Sequence, residues 1–355
     1  MKTHRSIINI AFNIYFVLLL ISKSLSILGL ATLAVSVFQG CSKQAYSQDG
    51  NFTEAAPKVS VKSAVHYHSE SPIKTIDALV FNDDIRQKID CYQRFEKITE
   101  ETINIGSCGG PKIILLCANS IWDKDEWRIA ESFHKTSQMR VNLEEEDKSF
   151  PTMCAEIHIN AGTSNMEANF ERLSSVIGIQ SISCSFKGKP YDGEAITDAK
   201  AYLINVNGSC SIRPQSSDHI ERIINHRGLI NDDINTFKDS TLIISHIGTI
   251  TSAPSNPDIE FTCYPNTCMY EDAVNQFTRL VIEGNILGER WFWPIDINRD
   301  QHGEGGLERN MKYTYDIVIT RKGTKDPNKP ITSDMAVIAF EAEKWTEKEE
   351  YQVAF

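Results

Sequence analysis

Short apolar or alternating runs, separated by turn-forming residues and almost free of helical spacing, constrain this chain more than any other feature. Lys58-Val59-Ser60-Val61-Lys62-Ser63-Ala64-Val65 alternates polar and apolar side chains, as a strand with one buried face does. Ile76 to Phe81 ends in the turn-prone Asn82-Asp83-Asp84. Lys112 to Cys117, bounded by Gly109-Gly110-Pro111, carries an unbroken apolar run suited to a central strand. Further β-type runs occupy Leu173 to Phe186, Ala199 to Val206, Thr241 to Ile250, Ile259 to Tyr264, Phe277 to Glu283, Arg290 to Ile297, Tyr313 to Arg321 and Met335 to Ala342. Helical spacing predicts one helix over Ser120 to Met139 and a short one over Asp218 to Asn225. Many short strands with few helices between them predict an all-β fold with minor helices, built from antiparallel β-sandwiches.

The N-terminus reads as a targeting segment. Lys2 and Arg5 form a charged start, and the apolar blocks Ile7 to Ile21 and Ile27 to Phe38 follow, interrupted by Lys23. The second block ends at Val37-Phe38-Gln39-Gly40-Cys41, where a small residue before a cysteine resembles the lipobox of bacterial lipoproteins. Lipid on Cys41 is the expected outcome, with a membrane as the partner it engages. The alternatives are a retained transmembrane helix or a plain signal peptide, but neither block reaches the roughly 20 residues that span a bilayer. The expected organisation is a signal peptide over 1–40, a polar tether over 41–56, and two tandem sandwich domains over 57–163 and 164–355. A chain of 355 residues is longer than one core usually organises, and Ala161 to Asn169 is small, polar and Gly-containing, as a boundary would be.

A formal charge of −11 argues against a nucleic-acid partner, whose phosphates demand a basic face. The chain lacks a glycine-rich phosphate loop, a His-Glu-x-x-His motif and a Gly-x-Ser-x-Gly elbow, so no catalytic residue, cofactor or small-molecule substrate is predicted. His66 and His68 would share one strand face, but no third ligand is signalled. Asp296, Asn298 and Asp300 begin like a calcium loop, which then fails at Gln301 and Leu307, and no metal is expected. Glu144 to Asp147 reads as a solvated acidic turn. Trp291 and Trp293 alternate with Phe292; if the Phe292 face is core, both tryptophans form an exposed aromatic contact, and otherwise a loop covers the edge. Cys263-Tyr-Pro-Asn-Thr-Cys268 is a candidate local disulfide, whereas Cys117 reads as a buried free thiol.

Several segments together resemble the fimbrillins of type V pili, in the FimA/FimB-like lineage of envelope lipoproteins. Leu307-Glu308-Arg309-Asn310-Met311-Lys312-Tyr313, running through Ile317 to Gly323 and Asp326-Pro327-Asn328-Lys329-Pro330-Ile331 to Trp345, is similar to that family's C-terminal pattern. Tyr264-Pro265-Asn266, Phe277 to Gly284 and Trp293-Pro294-Ile295 look like segments of its anchor and accessory members, and Ala78 to Phe81, Ile113 to Asn119 and Phe170 to Leu173 match more loosely. The resemblance implies two transthyretin-like domains, other fimbrial subunits as partners, and assembly by donor-strand exchange. Tyr351, Val353 and Phe355 alternate as a donor strand, or a strand closing its own domain, should. It further implies, for shaft subunits, removal of the N-terminal region by an arginine-specific protease. No arginine lies between Cys41 and Arg86, which favours a subunit that keeps its lipid, as an anchor or accessory member would.

Overall fold

A computed structural model describes residues 60–98, 100–160, 165–213, 220, 222–228, 235–272, 275–299 and 305–344. The signal peptide, Cys41, the tether, Trp345 and the stretch carrying Tyr351, Val353 and Phe355 lie outside the described residues. What is described is an all-β sandwich structure.

The first part of the chain builds two facing sheets. One has the order β4-β1-β8, with β1 (Ser60–His68) central between β4 (Thr102–Cys108) and β8 (Asn165–Asn169). The other has the order β3-β2-β5-β7-β9, from β3 (Ile89–Glu96) through β2 (Thr75–Asn82), β5 (Lys112–Ala118) and β7 (Met153–Ile159) to β9 (Glu171–Arg172). Val65, Tyr67, Ile103, Ile105, Met166 and Ala168 meet Ile76, Ala78, Val80, Ile114, Leu116 and Ala118 between them. The opposite faces of β2 and β5 are buried too, for Leu79, Phe81, Ile113, Leu115 and Cys117 join a second core with residues from later in the chain. This explains the unbroken apolar run of β5, every residue of which is buried.

The later strands form the second pair of sheets. The order β16-β10-β19-β20 comprises β16 (Ile259–Cys263), β10 (Ser175–Cys184), β19 (Met311–Ile319) and β20 (Ala336–Lys344). The order β15-β11-β17-β18 comprises β15 (Ile244–Ile250), β11 (Ile196–Ile204), β17 (Arg279–Ile286) and β18 (Glu289–Asp296). Ile177, Tyr315, Ile317, Leu203, Ile282 and Trp293 pack in this core. Short ribbons complete the set: β6 (Arg140–Asn142) pairs β13 (Ser209–Ser211), and β12 (Val206–Asn207) pairs β14 (Ile223–Ile224).

Four features depart from the expectations. The pairs β1–β8 and β10–β19 are parallel within otherwise antiparallel sheets. The chain changes sandwich between Arg172 and Ser175 rather than at 163, because β8 and β9 still pair with first-sandwich strands. In place of one helix over Ser120 to Met139 there is a 3-10 turn at Glu126–Ile129 and a five-residue helix α1 (Phe133–Ser137). The intervening backbone bonds sideways to the β2–β3 turn, Ile89 N–H to Glu131 O at 3.2 Å and Phe133 N–H to Gln87 O at 2.9 Å, which no continuous helix permits. Finally, Ile223 and Ile224 form β14 where a helix was expected, with 214–219 and 221 outside the described residues.

Candidate functional site: two strands for assembly

β1 is held on both edges. It runs antiparallel to β4 from Ser60 opposite Cys108 to His66 opposite Thr102, and parallel to β8 from Ala64 beside Asn165 to His68 beside Asn169. Alternation turns Ser63, Val65 and Tyr67 inward and His66 and His68 outward. The Tyr67 ring meets Phe170 edge-on at 5.9 Å, and its hydroxyl donates to Glu100 O at 2.6 Å. Withdrawing β1 would leave unpaired backbone on β4 and β8 and uncover Ile103, Ile105, Met166 and Ala168, an apolar groove that another strand could fill.

β20 is held on one edge only among the described strands, by β19, from Met311 opposite Lys344 to Ile319 opposite Ala336. Its inner side follows that of β19, so Ile338 and Phe340 sit beside Ile317 and Tyr315. Tyr315 is 1% exposed, yet Phe340, stacked on it at 5.6 Å, is 45% exposed, and Val337 on the outer side is 60% exposed. An apolar edge strand of this kind is a template for a further strand.

The other end of this sandwich is closed, so of the two readings of Trp291 and Trp293 the loop-covered edge holds and the exposed aromatic contact does not. Trp293 is 0% exposed and donates its indole N–H to Arg321 O at 3.0 Å. Trp291 is half-buried beneath Lys325 Nζ, 3.5 Å from the ring centre. Both faces of β18 are covered, since Phe292 packs on Tyr202, Ile204 and Val281 opposite the tryptophans. The edge itself is sealed by Thr324, which exchanges backbone hydrogen bonds with Phe292 at 2.8 and 3.0 Å. Gly323 permits that approach, because a Cβ there would fall 2.0 Å from Phe292 O.

Cys263 and Cys268 are free thiols, not a disulfide. Cys263 points into the core, where burial pushes its thiol far up, while the chain beyond it is drawn off by Asn266 pairing with Leu307. Cys268 lies 3.9 Å from the Arg299 guanidinium. His66 Nδ1 sits 2.8 Å from Thr102 Oγ1, and no group of metal-ligating side chains occurs among the described residues. Asp296 accepts from Arg279 Nε at 2.6 Å, and Asn298 donates to Gly306 O at 2.7 Å, so this stretch is tied up within the protein; Asp300 lies outside the described residues.

Between the sandwiches lies a polar joint that sequence reasoning missed in its detail. Arg172, 2% exposed, reaches Glu70 O at 3.0 Å, Ser71 Oγ at 2.9 Å and Asn310 Oδ1 at 3.3 Å. Asn310 has φ of 55°, a conformation asparagine tolerates better than most residues. Its neighbour Arg309 donates to Ser211 O at 2.7 Å, and the Tyr313 hydroxyl accepts from Glu308 N–H at 3.1 Å. The Arg-Asn-x-x-Tyr stretch therefore works as a joint. Glu146 is buried in the same region, although its segment reads as a solvated acidic turn. Burial pushes its carboxyl up to about 7 despite hydrogen bonds from Thr152 N–H and the Tyr264 hydroxyl.

No family model matches this sequence, and no curated protein matches it. Among solved structures, it is similar to a Bacteroides eggerthii protein provisionally assigned to cell adhesion, with TM-score 0.62 and 16% identity over 80% of this chain and 95% of that one. It is also similar to a fimbrilin (FimA) of Porphyromonas gingivalis, with TM-score 0.59 and 13% identity over 80% of this chain and 97% of that one. The tip fimbrial protein Mfa3 of Porphyromonas gingivalis aligns with TM-score 0.50 and 11% identity over 81% of this chain and 100% of that one. At such identities the likeness is one of fold: this chain has the all-β sandwich fold of fimbrilins.

Proposed function

We propose that this chain is a non-catalytic structural subunit of a fimbria, held on the outer membrane by lipid on Cys41 and contributing to cell adhesion as an anchor or accessory member. The observation that carries the reading is the place of β1. It is locked between β4 and β8, and the link from β1 to β2, Ser69 to Lys74, holds no arginine. The first arginine after Cys41 is Arg86, beyond β2, whose six inner residues are all buried. A cut there would detach β2 from the centre of its sheet along with β1. Arginine-directed release, of the kind implied for shaft subunits by the sequence resemblance, would thus dismantle the first sandwich instead of opening one groove in it.

Because no arginine lies between Cys41 and Ser60, arginine-directed cleavage cannot part β1 from a lipid on Cys41. β20, which has no second partner among the described strands, is then the surface that engages a neighbouring subunit by strand addition, with Tyr351, Val353 and Phe355 as candidate donor or closing residues. A second reading, a surface lipoprotein that binds glycans through Trp291 and Trp293, finds no exposed platform, since one ring is in the core and the other lies under lysine.

The test is Cys41→Ala in cells that make the fimbria. Fimbriae shed into the medium, with the subunit gone from the membrane fraction, are the expected result. Fimbriae still attached, with unchanged fractionation, would refute the anchor role.

A further inference from the structure

Cys117 on β5 and Cys154 on β7 stand directly opposite one another, and their sulfurs are 3.2 Å apart. Residues so placed in an antiparallel pair have Cα atoms about 4.5 or 5.5 Å apart, inside the roughly 4.4–6.8 Å that disulfides span. Forming the bond takes a sulfur approach of about 1 Å. We infer that Cys117 and Cys154 are the site of an intramolecular disulfide, formed when the reduced chain meets a thiol–disulfide oxidant of the cell envelope.

Burial orders the steps. Cys117 is 0% exposed and sits beside the buried Asp77 of β2, whereas Cys154 is half-buried. The Cys154 thiolate attacks a sulfur of the oxidant's disulfide, forming a mixed disulfide and releasing one oxidant thiol. Cys117 then loses its proton and attacks Cys154 Sγ, releasing the second. Two protons and two electrons leave the protein, and the oxidant's disulfide becomes two thiols. The bond would clamp the excursion between the strands, which sends Trp127, Phe133, Val141 and Leu143 into the core shared with the second sandwich. The occasion for this chemistry rests on the exported location proposed above, but the geometry does not.

The full-length reduced protein is incubated with oxidised glutathione, quenched in denaturant with N-ethylmaleimide and mapped by peptide mass. The expected product is the Cys117 peptide joined to the Cys154 peptide, two hydrogens lighter than the pair. The oxidised protein should melt roughly 6 °C above the reduced one, a shift absent from Cys154→Ser. Alkylation of both thiols, or a persistent glutathione adduct on Cys154, overturns the inference. Fractionation separates this from the export reading: a cytoplasmic chain whose pair links in vitro defeats export alone, and an exported chain whose pair stays reduced in oxidant defeats the disulfide alone.

Discussion

Tyr264, at the end of β16, donates its hydroxyl hydrogen to Glu146 Oε1 at 2.8 Å, joining the second sandwich to the excursion that leaves β5 and returns in β7. Removal from water outweighs the hydrogen bonds that favour the charged carboxylate, so the folded protein holds Glu146 at about 7, above its usual 4.5. The folded state therefore binds this proton more tightly than the unfolded chain does. Its contribution to stability is fully present below pH 4.5 and fades as pH rises to about 7, a loss of about 3 kcal/mol. Denaturant unfolding across that range should show this decline in the wild type, and Glu146→Gln should remove most of it.

β1 should be a structural strand and not a detachable arm. Tyr67→Ala removes a ring packed on Phe170 and the hydrogen bond to Glu100 O, and should cost about 3 kcal/mol of unfolding free energy. Equilibrium denaturation measures it. A loss below about 0.5 kcal/mol, the range of surface substitutions, would mean that β1 is not bound as described.

Gly323→Ala places a methyl group against Phe292 O and Trp293. The strap through Thr324 must then lift from β18, at a cost of about 1–3 kcal/mol. Amide hydrogen exchange should report it, with faster exchange at Phe292 and Thr324 and little change at β1.

How much of this was readable beforehand depended on how local each cause is. β2, β5 and β10 were legible because their burial is written in consecutive side chains, and β19 because its buried residues alternate. β3, with Asp90, Gln93 and Arg94 at a half-exposed sheet edge, has no alternation to read and went unnoticed. Alternation alone left the tryptophans undecided between an exposed contact and a covered edge, because it assigns faces but does not say whether a second layer covers both. The parallel pairing of β1 with β8, the Arg172–Asn310 contact and the facing sulfurs of Cys117 and Cys154 join residues far apart in sequence, and only the topology brings them together. The resemblance pointed to Arg309, Asn310 and Tyr313, and the structure supplies the reason in the joint they build.

The central claim is that β1 and the lipidated residue before it stay on the mature subunit. Mass spectrometry of the N-terminal peptide, from protein isolated out of the membrane of the cells that make it, tests this directly. The account predicts a peptide beginning at Cys41 and carrying lipid; a mature chain beginning at Gln87, after Arg86, would contradict it.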